Sequence, residues 1–147
     1  QPRRWPGLLR AVDEAVRQDP NAGFTTLVAV CIWQDRVVGG SSGDSAALAV
    51  QEPKAFEWLT SRQQKNPPVG SGEAVFWPFQ ATLKTPWQVL LMTDGVWKYA
   101  GQEAIVQSAL QLRGDELIEQ VKSQARLPRS GDFPDDFTLL LIASTES

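Results

Sequence analysis

The sequence predicts an α+β fold built on antiparallel β-structure within one domain, residues 1–147, and three observations lead to this prediction. Several strand-like runs follow one another through short turns rather than alternating with helices, which favours antiparallel pairing over a parallel sheet. Helix-like segments stand before and after these runs. The chain has 147 residues, of which 42% are hydrophobic, enough for one domain with a buried core that needs no disulfides.

The first fifty residues predict a helix followed by three strands. Apolar side chains recur at helical spacing across residues 8–16. Residues 25–33 are almost wholly apolar and rich in β-formers, so they predict a strand buried on both faces. After a tight turn, residues 36–38 predict a second strand. A glycine-rich stretch, residues 39–45, separates it from a third strand at 46–50.

The middle of the chain is less regular. Residues 51–73 contain several prolines and glycines, and an amphipathic piece surrounds residues 56–59. We interpret residues 52–73 as a surface flap that faces substrate, although nothing in them names a substrate. Residues 74–83 predict a strand, and because Pro78 interrupts it, an edge position in the sheet is expected.

The last third predicts a central strand, two helices and a final strand. Residues 88–93 form an apolar β-rich run that ends at an Asp-Gly pair. Amphipathic patterns predict helices over 102–112 and 115–125, with Asp115 as the N-cap of the second. Residues 137–143 predict a last, buried strand.

Composition excludes several chemistries. The chain has no histidine and a single cysteine, Cys31, so histidine-based catalysis, internal disulfides and thiolate zinc sites are impossible within it. The 14 basic and 17 acidic residues give a net charge of −3, and there is no basic cluster, which argues against nucleic acid as a partner. No apolar run approaches the ~20 residues of a membrane span, so no direct membrane contact is expected. The single thiol fits a reducing compartment, and we expect a cytoplasmic location.

Aspartates follow or precede strands at three positions: Asp44, Asp94 and the pair Asp135-Asp136. If strands 88–93 and 137–143 are antiparallel neighbours, Asp94 and Asp135 face each other at one rim of the sheet. When two carboxylates lie this close together, either the pKa of one of them is raised or the two share a divalent cation. Without histidine or cysteine ligands, that cation would be Mg²⁺ or Mn²⁺. The alternative is that these aspartates are only turn residues, because Asp-Gly is a common turn pair and Asp-Asp a common loop element.

Four segments in order, residues 25–29, 43–45, 90–97 and 135–138, resemble the successive motifs of the metal-dependent protein phosphatases, the protein phosphatase 2C family. The resemblance covers residues 5–143. It implies two packed antiparallel sheets, a β-sandwich flanked by helices. It also implies hydrolysis of phosphoserine and phosphothreonine in protein substrates, in which a water bridging two Mg²⁺ or Mn²⁺ ions attacks phosphorus in line.

The resemblance also implies roles for particular residues. Asp94, followed by Gly95, matches the aspartate of the family's Ser-Asp-Gly motif, a ligand of the metal centre. Asp135 matches the aspartate of the Asp-Asn motif, a ligand of the other metal, and Asp136 stands where Asn is usual. Asp44 matches the Gly-Asp-Ser aspartate, which in the family helps to hold a third, weaker metal.

The chain departs from the family pattern in three ways. It has no Asp-Gly-x-Gly-Gly motif, whose aspartate bridges both metals in the family. Ala46 stands where an arginine is frequent after Gly-Asp-Ser. Lys98 follows Asp94 by four residues, where some members carry an additional acidic ligand, and a cation there would disfavour a third metal.

These departures lead to two hypotheses. The sequence is the C-terminal two-thirds or so of a phosphatase domain, N-terminally incomplete, and alone it is inactive or weak because the bridging aspartate is absent. Alternatively, it is a phosphatase-like binding or regulatory module without catalysis. In either case the missing first strands would expose sheet edges, so we expect homodimerisation through those edges.

Overall fold

The computed structural model describes residues 4–145, which form four helices and seven strands. In chain order these are α1 (Trp5–Gln18), β1 (Leu27–Trp33), β2 (Arg36–Ser42), β3 (Ala46–Gln51), β4 (Ala55–Trp58), β5 (Trp77–Thr82), β6 (Trp87–Met92), α2 (Asp94–Ala100), α3 (Gln102–Gln111), α4 (Gly114–Ala125) and β7 (Leu139–Ala143). The predicted α+β class with antiparallel sheets is confirmed. No helix within this described part is long and apolar enough to cross a bilayer.

The chain divides into two compact units. The first runs to Ser45 and includes Leu59–Thr82, so it contains α1 and a three-stranded antiparallel sheet of order β1-β2-β5. The second contains Ala46–Trp58 and the chain from Leu83 onward, with a four-stranded antiparallel sheet of order β4-β3-β6-β7 and helices α2 to α4.

In the first unit the expected burial of residues 25–33 on both faces is wrong. Strand β1 lies at the edge of its sheet, where Cys31 is exposed and the side chain of Trp33 is 72% exposed. The error arises because an apolar run indicates a hydrophobic strand but does not indicate whether one or both faces of that strand are covered. The edge position expected for the proline-containing strand is confirmed, because β5 is the other outer strand of this sheet.

Strand β2 continues through the glycine-rich stretch as far as Ser42. A Cβ on Gly39 would lie 2.2 Å from the carbonyl oxygen of Ala29 and 2.6 Å from the ring of Phe79. Gly39 therefore serves the close approach of neighbouring strands, and only residues 43–45 remain as the link to β3.

The second unit holds the larger apolar core. The expected central strand is β6, which pairs with both β3 and β7. Leu48 and Leu90 from this sheet and Ile105 and Leu117 from the helices are fully buried in one hydrophobic cluster. Packing of α3 and α4 on these strands agrees with the apolar spacing that predicted both helices.

Four details of the second unit differ from the sequence-based expectations. Helix α2 was not expected, and β4 forms within the segment expected to be irregular. The N-cap of α4 is Arg113, so Asp115 lies in the first helical turn instead. Strand β7 is only partly buried, with Leu140 52% exposed, because it is the outer strand of its sheet.

Candidate metal centre

The antiparallel pairing of β6 with β7 brings two distant segments to one edge of the sheet. Met92 at the end of β6 pairs with Leu139 at the start of β7. One residue further, the Thr93 amide donates to the carbonyl oxygen of Thr138 at 3.1 Å. The residues that follow β6 and those that precede β7 are therefore neighbours, which meets the condition on which Asp94 and Asp135 were expected at one rim.

The hydroxyl of Thr93 fastens these segments together. It donates to the carbonyl oxygen of Asp136 at 3.2 Å and accepts from the amide of Thr138 at 3.1 Å. Thr93 occupies the N-cap position of α2 but makes no side-chain capping bond to that helix. Its hydroxyl orients the 136–138 backbone, a role that sequence reasoning missed because threonine at a strand end has no distinctive signal.

Gly95 brings the two segments into direct contact. A Cβ at this position would lie 2.2 Å from the carbonyl oxygen of Asp136 and 3.2 Å from the Cβ of Asp135. Asp94 and Gly95 are the first two residues of α2, so the interpretation of this pair as a turn is wrong. The glycine is required for close packing, and it places the start of α2 against Asp135 and Asp136.

The carboxylate of Asp94 is paired with a lysine one helical turn later. Its Oδ2 lies 2.6 Å from Nζ of Lys98, and the two side chains are 29% and 40% exposed. The Lys98 ammonium also lies 5.6 Å from the ring centroid of Trp97. The candidate ligand at the start of α2 is therefore already in contact with a positive charge.

Asp135 is exposed and lines an open depression of about 680 Å³ together with Lys122, Phe133, Pro134, Asp136 and Phe137. Its Oδ1 accepts the amide hydrogen of Asp136 at 2.8 Å, which orients the carboxylate along the loop. The rings of Phe133 and Phe137 lie 4.9 Å apart and form an aromatic wall. The depression therefore presents a carboxylate, an ammonium group and aromatic surface to a ligand.

Asp44 belongs to the first unit, where a segment beyond β4 holds it. Its Oδ2 lies 2.8 Å from Nζ of Lys65, and the Asp44 side chain is only 18% exposed. The neighbouring Gly43 amide donates to the carbonyl oxygen of Gln64 at 2.8 Å. The part played by Lys65 could not be anticipated, because no spacing in the sequence relates residue 65 to residue 44.

The residues present do not by themselves complete a metal site. Asp94 and Asp135 are hard oxygen donors of the kind that Mg²⁺ and Mn²⁺ prefer. Within residues 4–145, however, no group of three or more histidine, cysteine, aspartate or glutamate side chains could hold a metal ion. The pairing of Asp94 with Lys98 further reduces the negative charge available to a cation.

Solved structures share this fold. PppA, a regulatory component of the type VI secretion system in Pseudomonas aeruginosa, aligns with a TM-score of 0.74 at 17% identity, over 95% of this chain and 68% of that chain. The catalytic domain of the serine/threonine phosphatase PstP in complex with two manganese ions aligns with a TM-score of 0.68 at 20% identity, over 91% of this chain and 65% of that chain. The phosphatase domain of SpoIIE from Bacillus subtilis aligns with a TM-score of 0.62 at 15% identity, over 94% of this chain and 65% of that chain. The chain thus spans about two thirds of these structures, and at these identities the likeness establishes the fold.

The fold is that of a protein phosphatase 2C-like domain, which confirms the resemblance seen in the sequence motifs. The family model of stage II sporulation protein E (SpoIIE) matches residues 4–145. The chain therefore belongs to the SpoIIE family of phosphatase domains. Comparison with curated protein sequences gave no match.

Proposed function

We propose that this domain serves the metal-dependent hydrolysis of phosphoserine or phosphothreonine in a protein substrate. One observation carries the proposal: the antiparallel pairing of β6 with β7 sets Asp94-Gly95 against Asp135-Asp136 at a single rim. A bound Mg²⁺ or Mn²⁺ ion would supply charge neutralisation and an activated water for hydrolysis of a phosphate monoester. The manganese-bound relative of the same fold supports this choice of cation.

The residues of this chain would contribute position and charge. Asp94 and Asp135 are the proposed ligands, and Gly95 and Thr93 hold the two segments that carry them in contact. Asp136 contributes its carbonyl oxygen to this arrangement by accepting from Thr93. Asp44, for which the family motif implies a weaker metal, is proposed as an accessory ligand that would first have to separate from Lys65.

The depression beside Asp135 is the proposed approach of the phosphoprotein. It is open, and its walls carry the Lys122 ammonium and the rings of Phe133 and Phe137. A cation attracts the phosphate dianion, whereas aromatic rings contact the residues on either side of it. The assignment of residues 52–73 as a substrate-facing flap also stays a proposal.

We further propose that the 147 residues alone hydrolyse phosphopeptides only slowly. The sequence contains no Asp-Gly-x-Gly-Gly motif, and the described residues include no group of three or more histidine, cysteine, aspartate or glutamate side chains that could hold a metal ion. Two carboxylates supply only a small part of the six or more oxygen ligands that a hard divalent cation takes, so weak binding is expected.

The test is release of phosphate from a phosphoserine peptide by residues 1–147 at millimolar Mn²⁺. We expect slow release that requires Mn²⁺ and is lost in Asp135→Asn and in Asp94→Asn. Asp132→Asn is the matched control, because it removes an exposed carboxylate from the same loop. Release that is as fast in Asp135→Asn as in the unaltered chain, or that needs no metal, would exclude the proposed site.

A phosphatase-like binding module without catalysis is the second candidate. The observation that favours it is the contact of Asp94 with Lys98, together with the lack of a three-ligand cluster within residues 4–145. This function predicts that the chain binds a phosphopeptide with no release of phosphate at any Mn²⁺ concentration. Fluorescence anisotropy of a labelled peptide, measured beside the hydrolysis assay, separates the two functions.

Self-association and location complete the proposal. The outer strand β1 exposes Trp33, which supports homodimerisation through that sheet edge. A cytoplasmic location is proposed because the single thiol, Cys31, is suited to a reducing compartment.

A further inference from the structure

The contact between Asp94 and Lys98 is the feature of the rim that the proposed function leaves unexplained. The Lys98 ammonium lies 2.6 Å from Oδ2 of Asp94 and donates a charge-assisted hydrogen bond to it. Both residues lie on α2, which begins at Asp94.

The helix itself sets up this contact. An acidic residue followed by lysine four positions later is the favourable order for an ion pair on a helix. The centroid of the neighbouring Trp97 ring lies 5.6 Å from the ammonium nitrogen, and this cation–π contact also stabilises the position of the Lys98 side chain. Lys98 is therefore held beside Asp94 by two attractions.

We propose that Lys98 acts as an internal competitor for divalent cations at Asp94 and thereby lowers the affinity of the rim for metal. This inference rests on the proposed function of the rim as a cation site. A carboxylate oxygen that takes Mg²⁺ at ~2.1 Å cannot keep an ammonium group in hydrogen-bond contact on the same side. The arriving cation must displace Lys98 from Oδ2 or take the other carboxylate oxygen, and in either position the nearby ammonium repels it.

The experiment is Mn²⁺ binding to residues 1–147, followed by the loss of the electron paramagnetic resonance signal of the free ion at constant ionic strength. Replacing the ammonium by a neutral amide in Lys98→Gln should tighten Mn²⁺ binding by roughly fivefold, as expected for removal of one partly exposed charge next to the ligand. Lys98→Arg keeps a positive charge beside Asp94 and should bind as weakly as the unaltered chain.

Two further variants show whether the gain arises at Asp94. Lys84→Gln removes an exposed lysine that precedes β6, at the end of that strand opposite the rim that carries Asp94. It changes the net charge equally, and we expect less than a twofold change in affinity. Combining Asp94→Asn with Lys98→Gln should abolish the gain. Circular dichroism confirms that each variant is folded.

Three results would overturn the inference: equal affinity in Lys98→Gln and the unaltered chain, an equal gain in Lys84→Gln, or no Mn²⁺ binding by any variant. The inference and the proposed function fail separately. If Lys98→Gln binds Mn²⁺ more tightly and no variant releases phosphate, the hydrolytic function fails and the competition stands. Suppose instead that the unaltered chain hydrolyses the phosphopeptide and that Lys98→Gln raises KM for this peptide without changing the Mn²⁺ affinity. Lys98 then binds substrate and does not compete with the cation.

Discussion

The α-carbon of Gly95 packs against the carbonyl oxygen of Asp136 so closely that a methyl group on it would lie 2.2 Å from that oxygen. The contact joins the first turn of α2 to the loop before β7, 41 positions further along the chain. Backbone meets backbone here, so neither side can yield by a change of rotamer.

Gly95→Ala should therefore destabilise the domain by about 3 kcal/mol, because the Asp135-Asp136 backbone must move away from α2. Urea unfolding measures the effect. The matched control is Gly7→Ala in α1, where an added Cβ meets no atom within 4 Å. That helical substitution should be neutral or stabilise by up to about 1 kcal/mol. Equal stability of the two variants would show that the contact is not close in solution.

Asp13 is a buried carboxylate on α1 that accepts three backbone amides, from Gly70 at 2.6 Å, Gly72 at 3.4 Å and Ala74 at 3.2 Å. Asp13→Asn places an NH₂ group against those donors and should destabilise the chain by about 2–3 kcal/mol. Faster amide exchange at Gly70 and Ala74 should accompany the loss.

Asp19→Asn is the control for that substitution. The exposed Asp19 accepts one amide, from Asn21 at 2.9 Å, and its replacement should change the free energy of unfolding by less than about 0.5 kcal/mol. If Asp13→Asn behaved like this control, the carboxylate would not be holding residues 70–74.

The ion pair of Glu14 with Arg17 predicts a pH dependence. The hydrogen bond from Arg17 lowers the pKa of Glu14 from 4.5 to about 2, so the folded state favours the charged carboxylate. The resulting stabilisation is complete above pH 4.5 and is lost as the pH falls toward 2. Glu14→Gln should lower Tm at pH 7 and approach the unaltered chain near pH 2. Glu57→Gln, on the exposed strand β4, controls for the loss of one negative charge.

The edge strand β1 predicts self-association. Trp33 is 72% exposed on a strand that has one neighbour in its sheet among the residues the structure describes. We expect concentration-dependent dimers in sedimentation, weakened by roughly tenfold in Trp33→Lys because a charge on an edge strand opposes pairing. Leu127→Lys, at a 43% exposed loop position, should leave the dimer intact. A monomer at all concentrations would exclude this interface.

The periodicity of apolar residues predicted those helices whose own sequence carries the pattern. α1, α3 and α4 carry apolar stripes, whereas the pairing of β6 with β7 entered the sequence analysis only as a condition and is shown by the structure. Helix α2 was missed because its seven residues include Gly95, Val96 and aromatic side chains of low helix propensity. Contacts with the rest of the second unit stabilise this helix, and such contacts are not visible in local sequence.

The candidate site divides in the same way. The approach of the Asp94 and Asp135 segments was expected on the condition that strands 88–93 and 137–143 pair, and the i,i+4 spacing of Lys98 from Asp94 was in the sequence. The fastening by Thr93 and the contact of Lys65 with Asp44 were not predictable, because each depends on how a loop is folded. Burial of β1 was overestimated because hydrophobicity does not reveal which strand lies at an edge.

Residues 63–74 are tied down at both ends: Gly43 donates to Gln64 at one end, and Gly70 and Ala74 donate to Asp13 at the other. The separation of the two anchoring points determines how many residues can span them. Insertions or deletions between Gln64 and Gly70 would break the hydrogen bonds at one of the two anchoring points. Replacement of outward-facing side chains would leave these hydrogen bonds intact. Paralogues that acquire new targets through this stretch should therefore differ in its composition at constant length.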